Sequence, residues 1–254
     1  MSAPQVQVHP DEDSLARAIA AQLAERLAAA IAARGTASVV LTGGGIGTKL
    51  LAELAQAPPR DLVNWARLDV WWGDERFVPS SDPERNEAGA RHALLDHVPV
   101  HPGRVHPMDP SDGPDGDDPE AAAAQYAAEL EADAEGGLVP SFDVLLLGIG
   151  PEGHVASLFP GQPAVYETER SVVPVYDSPK PPPTRLSLTF PAIRAAREVW
   201  IVASGPEKAE AVARALADSD PAQVPAAGAR GRELTLFLID EAAAAKLPAE
   251  SGPA

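Results

Sequence analysis

The residues best suited to catalysis lie in the segment 148–161, whose sequence is GIGPEGHVASLFPG. This segment follows an apolar run and places His154 on a glycine-rich turn, where an imidazole that titrates near neutral pH can act as a general base. A lone histidine is more often structural, but the chain has no cysteine to supply a thiolate nucleophile, so His154 is the leading candidate. The other histidines, which lack such a setting, are His9, His92, His97, His101 and His106.

The same segment also contains the glycine spacing of a dinucleotide-binding loop. Gly148, Gly150 and Gly153 follow a predicted strand, and Asp177 lies near the distance expected of a ribose-binding acid. That motif needs a helix directly after the glycines to provide a crossover and a dipole. Because Pro151 and a later Pro-Gly pair leave too little room for one, the dinucleotide interpretation is weak and we expect no cofactor.

A second glycine cluster, Gly43, Gly44 and Gly45, lies where a predicted strand gives way to a helical pattern. Exposed backbone N–H groups and the helix dipole favour a phosphate at such a junction. The alternative is a tight turn that needs glycine only for its positive φ, and the sequence leaves both interpretations open. The cluster is not a Walker A loop, because Lys49 follows Thr48 where that motif places lysine before serine or threonine.

Charged residues also follow the next predicted strand. The sequence WWGDERF carries Asp74 and Arg76 directly after an apolar run, at the edge where parallel sheets bind ligands. A functional role competes here with a solvated loop that holds a local ion pair, which is the commoner outcome for such a cluster. Asn86, near the start of the next predicted helix, is more often a helix cap than a ligand contact.

The formal net charge of −17 predicts that an anionic ligand needs a local cluster of cations and amides. Lys180 and Arg185 flank a proline-rich loop before one predicted strand, and Lys208 opens a helix after another, so these cations are reasonable phosphate ligands. The acidic chain should repel nucleic acid and anionic membranes. No grouping of His, Asp and Glu shows metal-ligand spacing, so we expect no required metal.

These candidates must be positioned by an alternation of apolar strands and amphipathic helices. Residues 14–34 carry leucine and isoleucine at four-residue intervals, which predicts a first helix with Asp13 as a possible N-cap and Gly35 as its stop. Further helices are predicted at 86–95, 119–131 and 206–217. Strands are predicted at 38–41, 68–72, 142–147, 171–176, 186–190, 199–203 and 234–239. The alternation predicts an α/β fold with a doubly wound, mostly parallel sheet and helices on both faces.

The whole chain, residues 1–254, is expected to form a single domain. The segment 108–119, rich in Asp, Gly and Pro, is expected to be a mobile surface loop, and residues 247–254 a frayed tail. No apolar run approaches bilayer length, and the amino terminus lacks a basic region followed by an apolar stretch. Since the absence of cysteine is compatible with a reducing cytosol, we expect a cytoplasmic protein that does not enter a membrane.

Taken in order, the two glycine segments, the charged strand end and the two cationic loops resemble the 6-phosphogluconolactonase family, within the wider group that includes glucosamine-6-phosphate deaminase/isomerase. The most specific part is the segment 148–161, which is similar to the family's signature around its catalytic histidine. The resemblance spans nearly the whole chain and implies a Rossmann-like sheet of the deaminase/isomerase type. It also implies hydrolysis of 6-phospho-D-glucono-1,5-lactone to 6-phospho-D-gluconate in the oxidative pentose phosphate pathway.

The resemblance further implies roles for individual residues. His154 is then the general base that activates water, and Arg76 and Asp74 are the other catalytic residues. The residues implied to contact the substrate or its phosphate are Gly43, Gly44, Gly45, Asn86, Lys180, Arg185 and Lys208. The chain departs from the family pattern at Glu152, where Asp is usual, and at residues 46–49, which replace the usual Ser-Thr-Pro continuation of the glycine loop.

Two other functions stay open. A deaminase/isomerase would employ an acid where Glu152 stands, although the sequence SLFPG at 157–161 follows the lactonase pattern. A non-catalytic sugar-phosphate sensor would carry a DNA-binding segment, whereas this acidic chain begins almost at once with its first amphipathic helix. The partner expected in each case is a small sugar phosphate, and we expect a monomer or weak dimer.

Overall fold

The computed structural model describes residues 3–56, 58–217 and 219–248, and at its centre is a six-stranded sheet. The strands, in spatial order, are β1 (Gln5–His9), β9 (Leu234–Asp240), β8 (Glu198–Ala203), β5 (Val144–Gly148), β2 (Ala37–Leu41) and β3 (Leu68–Trp72). Every neighbouring pair in this sheet is parallel. The predicted doubly wound, mostly parallel architecture is therefore confirmed.

Helices cover both faces of the sheet because its strands are apolar on both sides. In β2, for example, Val40 belongs to one buried cluster, whereas Val39 and Leu41 belong to the other. The longer helices are α1 (Glu12–Arg34), α2 (Gly45–Gln56), α3 (Asn86–Ala93), α4 (Pro119–Ala132) and α6 (Ala209–Leu216). The shorter ones are α5 (Phe190–Arg194), α7 (Pro225–Gly228) and α8 (Glu241–Ala244). Helices α1, α2 and α3 pack on the Val39 side, and α4 and α6 pack on the Val40 side.

A second, three-stranded sheet contains β4 (Asp74–Arg76), β7 (Arg185–Leu188) and β6 (Val172–Val175), all antiparallel. Sequence patterning predicts strands at β6 and β7 but neither this separate sheet nor the short, polar β4. The connection from β6 to β7 covers only residues 176–184. Parallel neighbours need a longer crossover, usually with a helix, so this short connection leads to an antiparallel pair.

The ends of α1 differ partly from the prediction. The N-cap is Asp11, whose side chain accepts a hydrogen bond from Ser14 N at 2.7 Å, so the prediction of Asp13 as N-cap is wrong. Asp13 instead lies in the first turn, where its charge is favourable. The predicted stop at Gly35 is confirmed, because this residue has a φ of 84°.

The segment 108–119 is anchored at its beginning. The carbonyl of the fully buried Met108 accepts a hydrogen bond from Arg85 Nη2 at 2.6 Å. Farther along, Asp112 Oδ1 accepts from Ser80 N at 2.7 Å. None of the residues of this segment lines the cleft described below. The mobility of the segment stays a prediction.

The predicted tail lies mostly outside the described residues, which end at Pro248. Leu247, at its start, packs against the core. The organisation of residues 1–254 as a single domain stays a prediction. Within the described ranges, no helix combines the length and the apolar character that a membrane-spanning segment needs.

Candidate active site

A cleft of about 440 Å³ opens at the carboxyl edge of the parallel sheet, where β2, β5 and β8 end. Ligands gather at this edge in doubly wound sheets because strand ends and helix N-termini expose backbone N–H groups there. The structure brings all the candidate residues from the sequence to the lining of this one cleft. They are His154, Arg76, Asp74, Gly43, Gly44, Gly45, Asn86, Lys180, Arg185 and Lys208.

The glycine turn between β2 and α2 forms one wall of the cleft. Gly44 has a φ of 83°, a left-handed conformation that favours glycine. A Cβ at Gly43 would lie 1.9 Å from Asn86 Oδ1, so the position requires glycine because the Asn86 side chain fills the space. Gly45 begins α2, and the N-terminus of that helix therefore borders the cleft, which favours an anion.

His154 lies on the turn after β5, with its side chain 14% exposed. Its Nδ1 is 2.8 Å from Glu152 Oε1, and its ring lies 4.6 Å from the ring of Phe159. A Cβ at Gly150 would lie 2.0 Å from His154 Nδ1, so the ring can occupy this position only because residue 150 is glycine. When Nδ1–H donates to a carboxylate, Nε2 is the ring nitrogen left to accept a proton.

The role of Glu152 is the main feature of the site that sequence reasoning missed. Its hydrogen bond with His154 lowers the pKa of Glu152 to about 2, although partial burial opposes this shift. Its second oxygen, Oε2, lies 3.8 Å from Lys180 Nζ. Glu152 is therefore ionised at neutral pH and holds both a histidine and a lysine of the cleft. The available signal was its position two residues before His154 on the same turn.

Asp74, Asn86 and Arg76 form a hydrogen-bonded group on the opposite part of the lining. Asn86 Nδ2 donates to the Asp74 carbonyl at 2.8 Å, and Asn86 Oδ1 accepts from Arg76 Nη1 at 2.7 Å. Asp74 is buried and its Oδ2 accepts from Ser157 Oγ at 2.7 Å, so the alternative of a solvated loop is wrong here. Asn86 does not cap α3, as its residue type suggested, but is the first residue of that helix and joins Asp74 to Arg76.

The predicted cations divide into two roles. Burial lowers the pKa of Lys208, and repulsion from the charge of Lys180 lowers it further. A bound anion would relieve that repulsion. Arg185 donates through Nε to the Pro182 carbonyl at 3.2 Å and through Nη2 to the Lys180 carbonyl at 3.0 Å. Arg185 therefore holds the loop that carries Lys180.

The segment that follows β5 contradicts the alternative of a dinucleotide-binding loop. Residues 149–171 are all described, and they contain no α-helix, only the short 3-10 helix Pro163–Tyr166. The glycines at 148, 150 and 153 therefore open no crossover helix, whose dipole a pyrophosphate would need.

One grouping with metal-ligand potential lies outside the cleft. Asp69, His106 and Asp133 each offer one possible ligand atom within 4.8 Å of the others. The sequence does not indicate this grouping because the three residues lie far apart in the chain. Arg104 Nη1 already donates to Asp69 Oδ2 at 2.6 Å, and His106 Nδ1 lies 2.7 Å from Glu129 Oε1. Asp69 and His106 therefore already have charged partners outside this group.

The fold and the cleft define a class: doubly wound α/β proteins whose cleft at the carboxyl edge of the sheet is lined by a glycine turn, by cations and by a histidine–carboxylate pair. The family described as glucosamine-6-phosphate isomerases/6-phosphogluconolactonase matches residues 10–238, and the chain belongs to that family. A 6-phosphogluconolactonase of Streptomyces coelicolor is 60% identical over 248 residues, covering 96% of this chain and 95% of that protein. A 6-phosphogluconolactonase of Mycobacterium tuberculosis is 54% identical over 245 residues, covering 96% and 98%.

Solved structures show the same similarity. The 6-phosphogluconolactonase of Trypanosoma brucei superposes with a TM-score of 0.84 and 31% identity, covering 98% of this chain and 100% of that chain. A monomeric glucosamine-6-phosphate deaminase superposes with a TM-score of 0.78 at 22% identity, covering 95% and 99%, which shows a shared fold alone. The family resemblance noted from the sequence is confirmed.

Proposed function

We propose that the chain hydrolyses 6-phospho-D-glucono-1,5-lactone to 6-phospho-D-gluconate in the oxidative pentose phosphate pathway. The observation that carries the proposal is the pairing of His154 with Glu152 in a cleft that is also lined by Lys180 and Lys208. One cavity thus combines a base with a site for a phosphate. The relatives named 6-phosphogluconolactonase support the same reaction.

His154 acts as the general base in this mechanism. Its Nε2 takes a proton from water while the water oxygen attacks the lactone carbonyl carbon, which gives a tetrahedral intermediate. The bond between that carbon and the ring oxygen then breaks, and the ring oxygen takes the proton back from the imidazolium. Glu152, bonded to Nδ1 at 2.8 Å, orients the ring and stabilises the imidazolium while it exists.

The remaining residues bind and orient the substrate. The phosphate is held by the N–H groups of the glycine turn and by the Lys180 and Lys208 ammonium groups, so that binding energy places the lactone against His154. Arg76 helps place the reacting end and stabilises the negative charge that develops on the carbonyl oxygen. Asp74 contributes through its hydrogen bonds to Asn86 and Ser157, which fix the wall that carries Arg76. No cofactor is required by this chemistry.

Replacing His154 with alanine tests the mechanism directly. The lactone is generated with glucose-6-phosphate dehydrogenase, its disappearance is followed, and the rate is corrected for spontaneous hydrolysis. Loss of the base is expected to lower kcat about 10²–10⁴-fold. His92→Ala is the matched control, since His92 is exposed on α3 and lies outside the cleft, and it should keep the wild-type rate. Equal rates for wild type and His154→Ala would remove His154 from the mechanism.

The rival functions have their own readouts. Release of ammonia from glucosamine 6-phosphate would favour a deaminase, and binding of the phosphosugar without turnover would favour a sensor. A cytoplasmic location, a monomer or weak dimer, and the absence of a nucleic-acid partner remain predictions from the sequence.

A further inference from the structure

Glu75 is a buried carboxylate that belongs to none of the groups in the mechanism. It lies at the centre of β4 with its side chain 1% exposed, and it does not line the cleft as its neighbours Asp74 and Arg76 do. Successive side chains of a strand point to opposite sides, which explains the difference. A carboxylate is costly to bury unless hydrogen bonds and a cation compensate, so its partners indicate what it holds in place.

The partners of Glu75 are backbone N–H groups beside the cleft. Oε1 accepts hydrogen bonds from Asn86 N at 2.6 Å and from Arg76 N at 2.8 Å, and Oε2 accepts from Glu87 N at 2.9 Å. Arg85 Nη2 lies 3.8 Å from Oε2 and supplies the compensating charge. Burial raises the pKa of Glu75 to about 7, while Arg85 and the N–H groups oppose the rise.

Two of these N–H groups belong to the first turn of α3. The first N–H groups of a helix lack partners within the helix and are usually satisfied by a side chain just before it. Arg85, at the N-cap position of α3, makes no such hydrogen bond. Glu75 takes that role from a different element, so its carboxylate caps α3 and ties it to β4.

We propose that Glu75 is a positioning residue for the reaction, which holds the Asn86 side chain and, through it, the Arg76 guanidinium at the reacting end of the cleft. Asn86 Oδ1 accepts from Arg76 Nη1 at 2.7 Å and fills the space beside Gly43, so a displacement of Asn86 leaves this guanidinium nitrogen with only its bond to the Glu84 carbonyl at 2.7 Å. The inference rests on the proposed lactonase activity. It assigns to Glu75 a role in the reaction, although this residue contacts neither the substrate nor the reacting atoms.

The substitution Glu75→Gln tests this role. The glutamine side chain has nearly the same shape as glutamate, but an NH₂ group replaces one of the two acceptor oxygens. The backbone N–H groups on that side of the cap therefore lose their hydrogen-bond acceptor. We expect kcat to fall about 10–100-fold, as for a small misplacement of a catalytic group. KM should change less than about threefold, because the phosphate contacts are left in place and only the transition state loses an interaction.

Glu198→Gln is the matched control for the loss of a buried carboxylate. Glu198 is mostly buried at the amino end of β8, where its Oε2 accepts from Trp200 Nε1 at 2.9 Å. The cleft meets the opposite end of that strand, at Val202. Thermal unfolding of each variant measures the loss of stability. Glu198→Gln should be less stable than the wild type but should keep the wild-type kcat.

A second variant, Glu75→Asp, covers the case in which Glu75→Gln fails to fold. It keeps the charge beside Arg85 but is one methylene shorter, so it cannot reach all three N–H groups, and kcat should again fall with KM preserved.

Wild-type kcat in the folded Glu75 variants would overturn the inference. A change in KM without a change in kcat would also overturn it, as would a loss of kcat in Glu198→Gln equal to that in the Glu75 variants. If the wild-type protein does not hydrolyse the lactone, the proposed function fails instead.

Discussion

Glu152 and His154 lie two residues apart on one turn, and this spacing lets the carboxylate orient the imidazole without help from another element. The turn can form because Gly150 leaves room for the ring and Gly153 adopts a φ of 96°. The pair thus depends on backbone geometry as much as on the two side chains.

The substitution Glu152→Gln tests the importance of the charge in this pair. Glutamine can still accept a hydrogen bond from Nδ1 but cannot stabilise the imidazolium by charge, so kcat should fall about 10–100-fold. Glu152→Asp, which keeps the negative charge on a shorter side chain, should retain more activity than Glu152→Gln. Steady-state assays of the three proteins measure this order, and equal kcat values for wild type and Glu152→Gln would contradict it.

Gly43 offers a second test, because its missing Cβ makes room for Asn86. In Gly43→Ala the new methyl group should push Asn86 Oδ1 away and break its hydrogen bond with Arg76, lowering kcat/KM by about 10²-fold. Gly89→Ala in α3 is the control, since its Cβ would meet only Thr48 Oγ1 at 3.6 Å, an ordinary contact. Comparable activity of the two variants would show that the close approach at Gly43 has no catalytic consequence.

The edge strand β3 is linked to α4 by His106. The His106 ring stacks on Trp71 of β3 at 3.8 Å, and its Nδ1 lies 2.7 Å from Glu129 of α4. Burial alone would lower the pKa of His106, but Asp69 and Glu129 outweigh that effect and raise it to about 9. The protonated imidazole therefore hydrogen-bonds Glu129, lies 3.6 Å from Asp69 Oδ1 and connects the strand to the helix.

This link predicts a pH-dependent stability. Because the folded pKa of about 9 exceeds the unfolded value of 6.5, the stabilisation is complete below about pH 6.5 and is lost as pH rises through 9. Removing the charge in His106→Gln should lower the free energy of unfolding by about 1–2 kcal/mol near neutral pH, after allowance for solvent screening. Urea unfolding from about pH 6 to about pH 10 should show the difference from wild type shrinking with pH. A difference that does not vary with pH would rule out this role.

Seven separate stretches of the described chain meet at the cleft, from Glu12 at the start of α1 to the segment that carries Lys208. A ligand that contacts several of them should stabilise the fold by mass action. At about 100 times its Kd, 6-phosphogluconate should raise the free energy of unfolding by ~2.7 kcal/mol. The same concentration should stabilise Lys208→Ala much less, but should fully stabilise Lys246→Ala, in which a lysine paired with the exposed Glu210 is removed. Thermal unfolding measures the shift, and equal shifts in both variants would exclude Lys208 from ligand binding.

Much of this arrangement follows from sequence, and the exceptions have physical causes. Buried apolar runs such as β3 are predicted to the residue because both faces of the sheet are covered. β1 is missed because it has no continuous apolar run: Val6 and Val8 alternate with polar residues and are 39% and 49% exposed. β4 is missed because its three residues are charged. A search for continuous apolar runs therefore finds neither strand.

The candidate residues of the cleft are predictable because each follows a strand or opens a helix, and such positions meet at one edge of the sheet. The contacts among these residues cannot be predicted from the sequence. The bond from Ser157 to Asp74 and the bonds from Asn86 and Glu87 to Glu75 join residues that are distant in the chain. Only the packing of the small antiparallel sheet against α3 and the β5 turn brings these groups within hydrogen-bond distance.

The pairing of β4 with β7 places Arg76 directly opposite Arg185, with Glu75 opposite Leu186. A slip of one residue in this pairing would turn Glu75 into the cleft and Arg76 into the interior, since side chains alternate along a strand. The cleft would then lose the Arg76 guanidinium and gain the Glu75 carboxylate in its place. A single-residue insertion inside either strand would therefore remove the cation of this wall, which an anionic sugar needs.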